Sequence, residues 1–211
     1  MNTIVDKIQL HKILPVVVID DADTVIPLAE ELISRNLPLI EITFRTEAAE
    51  DSIRFLENSA IDILIGAGTI LNCEQAERAV SAGAQYIVTP GFSSKVVSWC
   101  IKNEIPVFPG VATPTEMMLA LEHSVNIVKF FPSEALGGVG SIKALSSPFA
   151  MMKFIPTGGI SEKNIIDYLS VPSVLACGGS WLASRRLLKN KEFDKIGELI
   201  SQVKRIIQTL D

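Results

Sequence analysis

Short apolar runs rich in β-branched residues recur along the chain at a nearly constant interval. Their first residues lie 20 to 26 positions apart, which is the length of one β-strand followed by one α-helix. We therefore predict eight strands, at Leu14–Ile19, Leu39–Phe44, Ile63–Ile70, Tyr86–Pro90, Pro106–Val111, Ile127–Pro132, Lys153–Thr157 and Val174–Cys177.

The segments between these runs carry apolar residues at helical spacing, so each strand is expected to lead into a helix. Three of the helices are predicted to begin at the capping residues Asp23, Ser93 and Ser161. The last helix is expected to pack on the outside of the fold through an apolar face formed by Phe193, Ile196, Leu199, Ile200, Val203, Ile206, Ile207 and Leu210.

Eight repeats of one strand and one helix define the expected fold class. Strands that are apolar almost throughout are typical of a parallel sheet covered by helices on its outer face. Eight such units can close into a barrel, so we predict an α/β fold with a single (β/α)8 TIM-barrel domain over residues 1–211. A doubly wound open sheet is the alternative that the same pattern allows.

Composition narrows the class of protein and its compartment. The chain is 48% hydrophobic and 20% charged with a net charge of -5, which is typical of a globular protein and gives no reason to expect nucleic acid or an anionic membrane as partner. Cys73, Cys100 and Cys177 are scattered, which favours a reducing compartment over a disulfide framework. The apolar stretch Ile13–Ile19 is too short for a signal peptide or membrane span, so we expect a cytoplasmic protein.

Charged residues within the predicted strands are the first candidates for chemistry, because barrel active sites lie where the strands end. Side chains alternate along a strand, so Glu41, Thr43 and Arg45 are expected on one face of strand two. The same alternation directs Lys129, Phe131 and Ser133 inward from strand six. A lysine inside a barrel is costly, since burial disfavours an ammonium group and favours the neutral, nucleophilic amine.

Two interpretations of this charged set remain open. A buried lysine with an adjacent carboxylate can form a Schiff base with a carbonyl substrate, Lys129 acting as nucleophile and Glu41 as proton carrier. The alternative is a structural charge network of Glu41, Arg45 and Lys129 that fills the barrel. Spacing alone does not separate the two.

Glycine pairs follow two of the predicted strands. Thr157-Gly158-Gly159 comes after strand seven, and Gly178-Gly179-Ser180 comes after strand eight. Loops at these two places hold a phosphate group in many barrels, because glycine lets backbone N–H groups approach the ligand closely. Ser180 can add a hydroxyl donor. Each pair alone is also an ordinary turn or helix-packing feature.

A metal-dependent mechanism is not expected. His11 precedes strand one and His123 falls in the predicted fifth helix, so neither lies at a strand end. Asp20 and Asp21 end strand one, where they can cap the loop or bind a hard cation. Cys73 is interpreted as a packing residue rather than a nucleophile.

Taken in order, the motifs resemble those of the class I 2-keto-3-deoxy-6-phosphogluconate (KDPG) and 4-hydroxy-2-oxoglutarate (KHG) aldolases, which are (β/α)8 barrels. The resemblance covers almost the whole chain, through Ile40–Thr46, Gly66–Leu71, Ala82–Gln85, Thr89–Gly91, Ile105–Thr113, Val128–Pro132, Pro156–Ile160 and Gly178–Leu182. It implies cleavage of a phosphorylated 2-keto acid to pyruvate and glyceraldehyde 3-phosphate, no metal or organic cofactor, and a homotrimer.

The resemblance also implies a role for individual residues. Lys129 would be the Schiff-base lysine and Glu41 the general acid and base. The remaining substrate-binding set comprises Arg45 and Thr69 near the substrate carboxylate, Pro90 and Phe131 around the pocket, and Thr157, Gly158, Gly159 and Ser180 around the phosphate.

One departure bears on the substrate. Many relatives have an arginine or lysine just after strand one, whereas this chain has Asp20 and Asp21. Carboxylates directed toward the barrel mouth would weaken binding of a doubly anionic substrate. Two alternatives therefore stay open, namely an aldolase that prefers 4-hydroxy-2-oxoglutarate or the 6-phosphogalactonate epimer, and a non-catalytic barrel that binds a phosphometabolite.

Overall fold

A computed structural model describes residues 3–210 of the chain. Strands and helices alternate along it, as predicted. The strands are β1 (Ile13–Val17), β2 (Leu39–Thr43), β3 (Leu64–Gly68), β4 (Tyr86–Val88), β5 (Val107–Phe108), β6 (Gly110–Val111), β7 (Ile127–Phe130), β8 (Lys153–Pro156) and β9 (Cys177–Gly179). The α-helices are α1 (Ile4–His11), α2 (Val25–Ser34), α3 (Ala48–Glu57), α4 (Cys73–Ala82), α5 (Ser94–Lys102), α6 (Pro114–Glu122), α7 (Gly138–Ser146), α8 (Ile165–Leu169), α9 (Arg185–Lys189) and α10 (Phe193–Ile207).

The strands form two curled, parallel sheets. The first has the order β5-β4-β3-β2-β1-β9, and the second has the order β6-β7-β8. The chain's last strand therefore lies beside its first, and the order shows no reversal like that of a doubly wound sheet. Single parallel bridges join Phe154 to Val174 and Thr157 to Gly178, on the side where β8 meets β9. The mixed α/β class with parallel strands is confirmed.

The predicted strand Pro106–Val111 is interrupted at Pro109, which separates β5 from β6. Proline has no N–H and cannot donate a ladder hydrogen bond. Its carbonyl oxygen still accepts a hydrogen bond from the Lys129 amide at 2.9 Å, so the chain stays beside β7. A Cβ on Gly110 would lie 2.6 Å from the Gly91 amide nitrogen, which shows how closely the two backbones approach here.

The last strand begins later than predicted. The apolar run Val174–Cys177 was expected to be the strand, but β9 covers Cys177–Gly179, in register with Ile13, Leu14 and Pro15 of β1. Sequence patterns penalise glycine in strands. Here the close contacts around Gly178 and Gly179 outweigh that preference, so these glycines lie in a strand and the following loop starts at Ser180.

Only one of the three predicted capping residues lies at the start of its α-helix. Ser93 caps α5 by accepting a hydrogen bond from the Val96 amide, as predicted. Asp23 instead lies in a 3-10 turn over residues 22–24. Ser161 donates its amide to the side chain of Asn164, the residue that precedes α8. Thr24 and Asn164 therefore occupy the N-cap positions of α2 and α8, and neither Asp23 nor Ser161 caps the α-helix that follows it.

The core lies between the strands and the surrounding helices. Ile40 and Ile42 of β2 are fully buried on the side that faces the helices. The long helix α10 buries the predicted apolar face through Ile196, Ile200, Val203 and Ile207. This leaves the alternate face of β2, with Glu41 and Thr43, toward the interior enclosed by the strands.

Candidate active site

Lys129 and Glu41 form a buried ion pair in the interior. Lys129 lies on β7 and Glu41 on β2, and the Nζ–Oε1 distance is 3.3 Å. The two residues are only 5% and 1% exposed. Removing two charges from water costs free energy, and the attraction between them often does not offset that cost. The pair is therefore not explained by a contribution to the stability of the core.

Small residues on β3 make the space for this carboxylate. A Cβ on Gly68 would overlap Oε1 of Glu41 and lie 2.8 Å from its Cγ and Cδ. Two residues earlier, a Cβ on Gly66 would lie 2.5 Å from the hydroxyl oxygen of Tyr86. That hydroxyl donates to the Ile40 carbonyl oxygen at 3.0 Å, and burial together with the charge of Glu41 raises the pKa of Tyr86.

An aromatic ring borders the lysine amine. Nζ of Lys129 lies 5.2 Å from the centre of the Phe131 ring, within the range of a cation–π contact. Phe131 is partly buried, as is Pro90, which follows β4 by two residues. The amine therefore has a carboxylate on one side and an apolar ring on another.

The structure places Arg45 and Thr69 just beyond the strand ends. Arg45 is an exposed residue in the turn after β2, and within residues 3–210 its guanidinium has no ion-pair partner. Thr69 follows Gly68 and has a φ of 57°, a left-handed conformation that is rare for a β-branched residue. Thr43, expected on the same face of β2 as Glu41 and Arg45, donates its hydroxyl to the Val17 carbonyl oxygen at 2.8 Å, so this hydroxyl is held by the backbone of β1.

The first glycine segment turns sharply after β8. Gly158 and Gly159 have φ values of 96° and 82°, which favour glycine. A Cβ on Gly159 would also lie 2.5 Å from Cβ and Cγ of Glu134. Within the described part of the chain, neither amide donates a hydrogen bond, so both N–H groups are available to a ligand.

The second glycine segment lies beside the first. Thr157 and Gly178 form a parallel bridge, and a Cβ on Gly178 would overlap the Thr157 hydroxyl oxygen and lie 3.0 Å from its Cβ. Thr157 is buried, whereas Ser180, the first residue after β9, is exposed. The structure thus brings Thr157, Gly158, Gly159 and the start of the Ser180 loop to one edge of the strands.

Asp20 and Asp21 have separate partners. Asp21 accepts a hydrogen bond from the Asp23 amide at 3.1 Å and caps the turn, as predicted for a capping residue. Both carboxylate oxygens of Asp20 accept from Arg185, one of them from Nε at 2.7 Å, and this lowers the pKa of Asp20. The charged residues that line the adjoining pocket of about 340 Å³ are Asp20, Asp21, Arg185, Lys189 and Lys191.

Sequence reasoning did not find Arg185, because 165 positions separate it from Asp20. The only available signal was indirect. In a closed barrel the first and last strands are neighbours, so the segment after β9, which contains Arg185, is expected to lie near the loop after β1, which contains Asp20. Ser133 was expected to point into the interior, but its hydroxyl donates to the Tyr168 hydroxyl of α8 at 2.9 Å. The strand ends at Phe130, so the strand alternation no longer holds at Ser133.

Residues 3–210 form neither a cluster of metal-ligating side chains nor a membrane-spanning helix. They contain no group of three or more His, Cys, Asp or Glu side chains arranged to hold a metal ion. In the same residues, no helix has the length and apolar character needed to cross a membrane.

Comparison with known proteins places this chain in a family. The sequence matches the family described as KDPG and KHG aldolase over residues 4–199. It is 46% identical over 205 residues to a 2-dehydro-3-deoxy-phosphogluconate aldolase of Haemophilus influenzae, covering 97% of both chains, and 38% identical over 187 residues to the KHG/KDPG aldolase of Escherichia coli K12, covering 89% and 88%. The structure is similar to that of a KDPG aldolase from Legionella pneumophila with pyruvate captured as a covalent carbinolamine intermediate, with a TM-score of 0.91, 38% identity and coverage of 94% and 97%. The chain therefore belongs to the KDPG and KHG aldolase family.

Proposed function

We propose that this protein is a class I aldolase that cleaves 2-dehydro-3-deoxy-6-phosphogluconate to pyruvate and glyceraldehyde 3-phosphate. The observation that carries the proposal is the buried Lys129–Glu41 pair, 3.3 Å apart, in a chain whose relatives are named as aldolases for this substrate. A purely structural pair would gain little over apolar residues of similar volume, whereas a Schiff-base mechanism needs both groups.

Lys129 is the nucleophile in this proposal. Transfer of a proton from its ammonium group to Glu41 gives a neutral amine and a carboxylic acid, and the 3.3 Å contact is the path. The amine attacks the C2 ketone and forms a carbinolamine. Glu41 then donates its proton to the carbinolamine hydroxyl, water leaves, and an iminium ion remains on the lysine.

Glu41 also serves the carbon–carbon cleavage. Its carboxylate takes the proton of the C4 hydroxyl, directly or through water, the C3–C4 bond breaks, and the electron pair moves into the iminium to give an enamine. Glyceraldehyde 3-phosphate leaves as the aldehyde. Glu41 returns the proton to C3 of the enamine, and hydrolysis of the imine releases pyruvate and the free amine.

The proposal also assigns each substrate-binding residue to one part of the substrate. Thr157, Gly158, Gly159 and Ser180 bind the phosphate, supported by the two available amides and the exposed hydroxyl at one edge. Arg45 and Thr69 bind the substrate carboxylate, supported by the unpaired guanidinium and by the position of Thr69 next to Gly68. Pro90 and Phe131 shape the pocket around the amine.

We also propose that the chain is a single domain in which the strands close into a (β/α)8 barrel. The break between the two sheets at β5 and β6 is one residue long, at Pro109, and the bridges Phe154–Val174 and Thr157–Gly178 span the other junction. Counting β5 and β6 as one interrupted strand gives eight strands.

A homotrimer in the cytoplasm completes the proposal. The trimer is supported by family resemblance and by exposed large apolar side chains such as Leu71, Met118 and Met151. The cytoplasm is supported by the buried free thiols Cys100 and Cys177. Sedimentation equilibrium gives the assembly mass directly, and a monomeric mass would refute the trimer.

The decisive experiment for the chemistry is covalent trapping. The protein is incubated with pyruvate and borohydride, which reduces a lysine imine to a stable amine, and is then analysed by intact mass and peptide mapping. A pyruvate-derived adduct on Lys129 is expected. A folded protein without an adduct would refute the Schiff-base mechanism and favour a phosphometabolite-binding barrel.

The second candidate activity is cleavage of 4-hydroxy-2-oxoglutarate. The name of the Escherichia coli relative, KHG/KDPG aldolase, favours it. It uses the same lysine and carboxylate and does not need the phosphate-binding edge. A comparison of kcat/KM for the phosphorylated and unphosphorylated substrates ranks the two activities.

A further inference from the structure

A hydrogen-bond chain of two buried hydroxyl groups and one exposed carboxylate lies behind the proposed phosphate-binding edge. The Ser133 hydroxyl donates to the Tyr168 hydroxyl at 2.9 Å, and the Tyr168 hydroxyl donates to the Glu134 carboxylate. Ser133 and Tyr168 are fully buried, whereas Glu134 is exposed. Burial and the bond to Glu134 raise the pKa of Tyr168, which keeps the phenol protonated as the donor.

Glu134 is packed directly against the glycine segment. Its amide donates to the Gly158 carbonyl oxygen at 3.0 Å, and the Ser133 amide donates to the Thr157 carbonyl oxygen at 2.8 Å. A Cβ on Gly159 would lie 2.5 Å from Cβ and Cγ of Glu134. The side chain therefore supports the segment whose amides are available to a ligand.

The negative charge of Glu134 is unfavourable for phosphate binding at this position. A carboxylate beside a phosphate-binding segment repels a dianion, and a flexible, exposed side chain could turn toward it. In the structure its Oε1 is instead held by Tyr168. A Cβ on Gly138 would lie 2.8 Å from that oxygen and 3.0 Å from the Tyr168 hydroxyl, so the lack of a side chain at Gly138 leaves room for this contact.

We propose that Tyr168 is a positioning residue for phosphate specificity, which holds the Glu134 carboxylate away from the phosphate-binding segment while the methylene groups of Glu134 support Gly159. The inference rests on the proposed function, because it needs a phosphorylated substrate at Gly158 and Gly159. It assigns to α8 an influence on the anionic end of the substrate and none on the chemistry at Lys129.

The test compares three substitutions on the full chain. Tyr168→Phe removes the donor, and Glu134→Asp keeps the charge but is one methylene too short to reach Tyr168. Both are expected to raise KM for the phosphorylated substrate by about five- to tenfold, with kcat and the KM for 4-hydroxy-2-oxoglutarate changed by less than about twofold. Glu134→Gln reaches Tyr168 without the charge and is expected to leave both KM values unchanged.

Two further measurements test the electrostatic cause. The double variant Tyr168→Phe/Glu134→Gln is expected to recover the wild-type KM, and the rise in Tyr168→Phe is expected to shrink at high salt because a free carboxylate is screened. If Tyr168→Phe does not fold, Glu134→Asp, a substitution at an exposed residue, still tests the proposal. Equal effects on both substrates, or no recovery in the double variant, would overturn the proposal.

Failure of this inference is distinguishable from failure of the proposed function. Ser180→Ala on the same two substrates reports on the phosphate site independently of Tyr168. A selective effect of Ser180→Ala with none from Tyr168→Phe and Glu134→Asp would refute the positioning role alone. No selective effect from any of the three would refute the phosphate site, and a missing pyruvate adduct would refute the aldolase chemistry.

Discussion

The Glu41 side chain occupies the space that a side chain at Gly68 would need. A Cβ on Gly68 would overlap Oε1 of Glu41 and lie 2.8 Å from its Cγ and Cδ, so the carboxylate keeps its position only while residue 68 has no side chain. The backbone of β3 thereby fixes one side of the Lys129–Glu41 pair. The position of Glu41, the proposed proton carrier, therefore depends on Gly68, which has no side chain of its own.

Gly68→Ala should therefore impair turnover without preventing folding. The added methyl group displaces the Glu41 carboxylate from Lys129, and a displacement of about 1 Å at a reacting group can reduce kcat by about 10²-fold. Steady-state kinetics with the phosphorylated substrate measure the loss. The matched control is Gly140→Ala on α7, where an added Cβ has no neighbour within 4 Å. A kcat within twofold of wild type in Gly68→Ala would contradict the assignment of Glu41.

Lys129→Ala should abolish both turnover and the borohydride-trapped adduct. It should also destabilise the fold, because removing one partner of a buried pair costs about 3–5 kcal/mol. Urea unfolding measures this change in free energy. Adding Glu41→Gln to Lys129→Ala removes the orphaned charge and should restore most of the stability, but none of the activity.

Two outcomes would count against this account of the pair. Substantial cleavage by a folded Lys129→Ala variant would remove the lysine from the mechanism. Additive losses in the double variant would mean that the two side chains do not interact in the folded state, since coupled neighbours give non-additive changes in free energy.

Local pattern was sufficient to predict most of the strands and the interior position of the pair. Apolar runs at a constant interval predicted the βα repeat, and strand alternation put Glu41 and Lys129 toward the same interior, where their side chains lie 3.3 Å apart. These features depend only on neighbouring residues in the sequence.

Features that depend on tertiary contacts could not be predicted from the local sequence pattern. The last strand was placed too early because glycine has low strand propensity, yet Gly178 is required where Thr157 packs closely against it. Ser133 was assigned to the interior by extending the alternation past Phe130, where the strand ends. Its actual partner, Tyr168, is 35 positions away and no sequence signal links the two.

The pairing of Asp20 with Arg185 changes what the acidic pair after β1 implies for the substrate. Two hydrogen bonds from the guanidinium partly neutralise Asp20, and Asp21 is used as a cap. A repulsive effect on an anionic substrate is therefore expected to be smaller than the sequence alone indicates. Both partners are exposed, so their contribution to stability is also expected to be small.

The titration of Asp20 tests this pairing. Its pKa is lowered chiefly by the hydrogen bonds from Arg185, so Arg185→Ala should raise it toward the ordinary range, as measured by carboxyl carbon NMR. Because the folded-state pKa is the lower one, any stabilisation is present above the unfolded-state pKa and is lost as pH falls through the folded-state value. An unchanged Asp20 titration in Arg185→Ala would show that the ion pair does not form in solution.

Ser180→Ala tests the proposed phosphate-binding edge at its exposed hydroxyl. A hydrogen bond to a charged group contributes about 1.5–3 kcal/mol, so KM for the phosphorylated substrate should rise about tenfold or more, and KM for 4-hydroxy-2-oxoglutarate should change little. Ser98→Ala, at an exposed serine of α5, is the matched control and should affect neither substrate. Steady-state kinetics on both substrates give the comparison. An equal rise for both would mean that Ser180 contacts the part common to the two substrates, and the phosphate would then have to bind elsewhere.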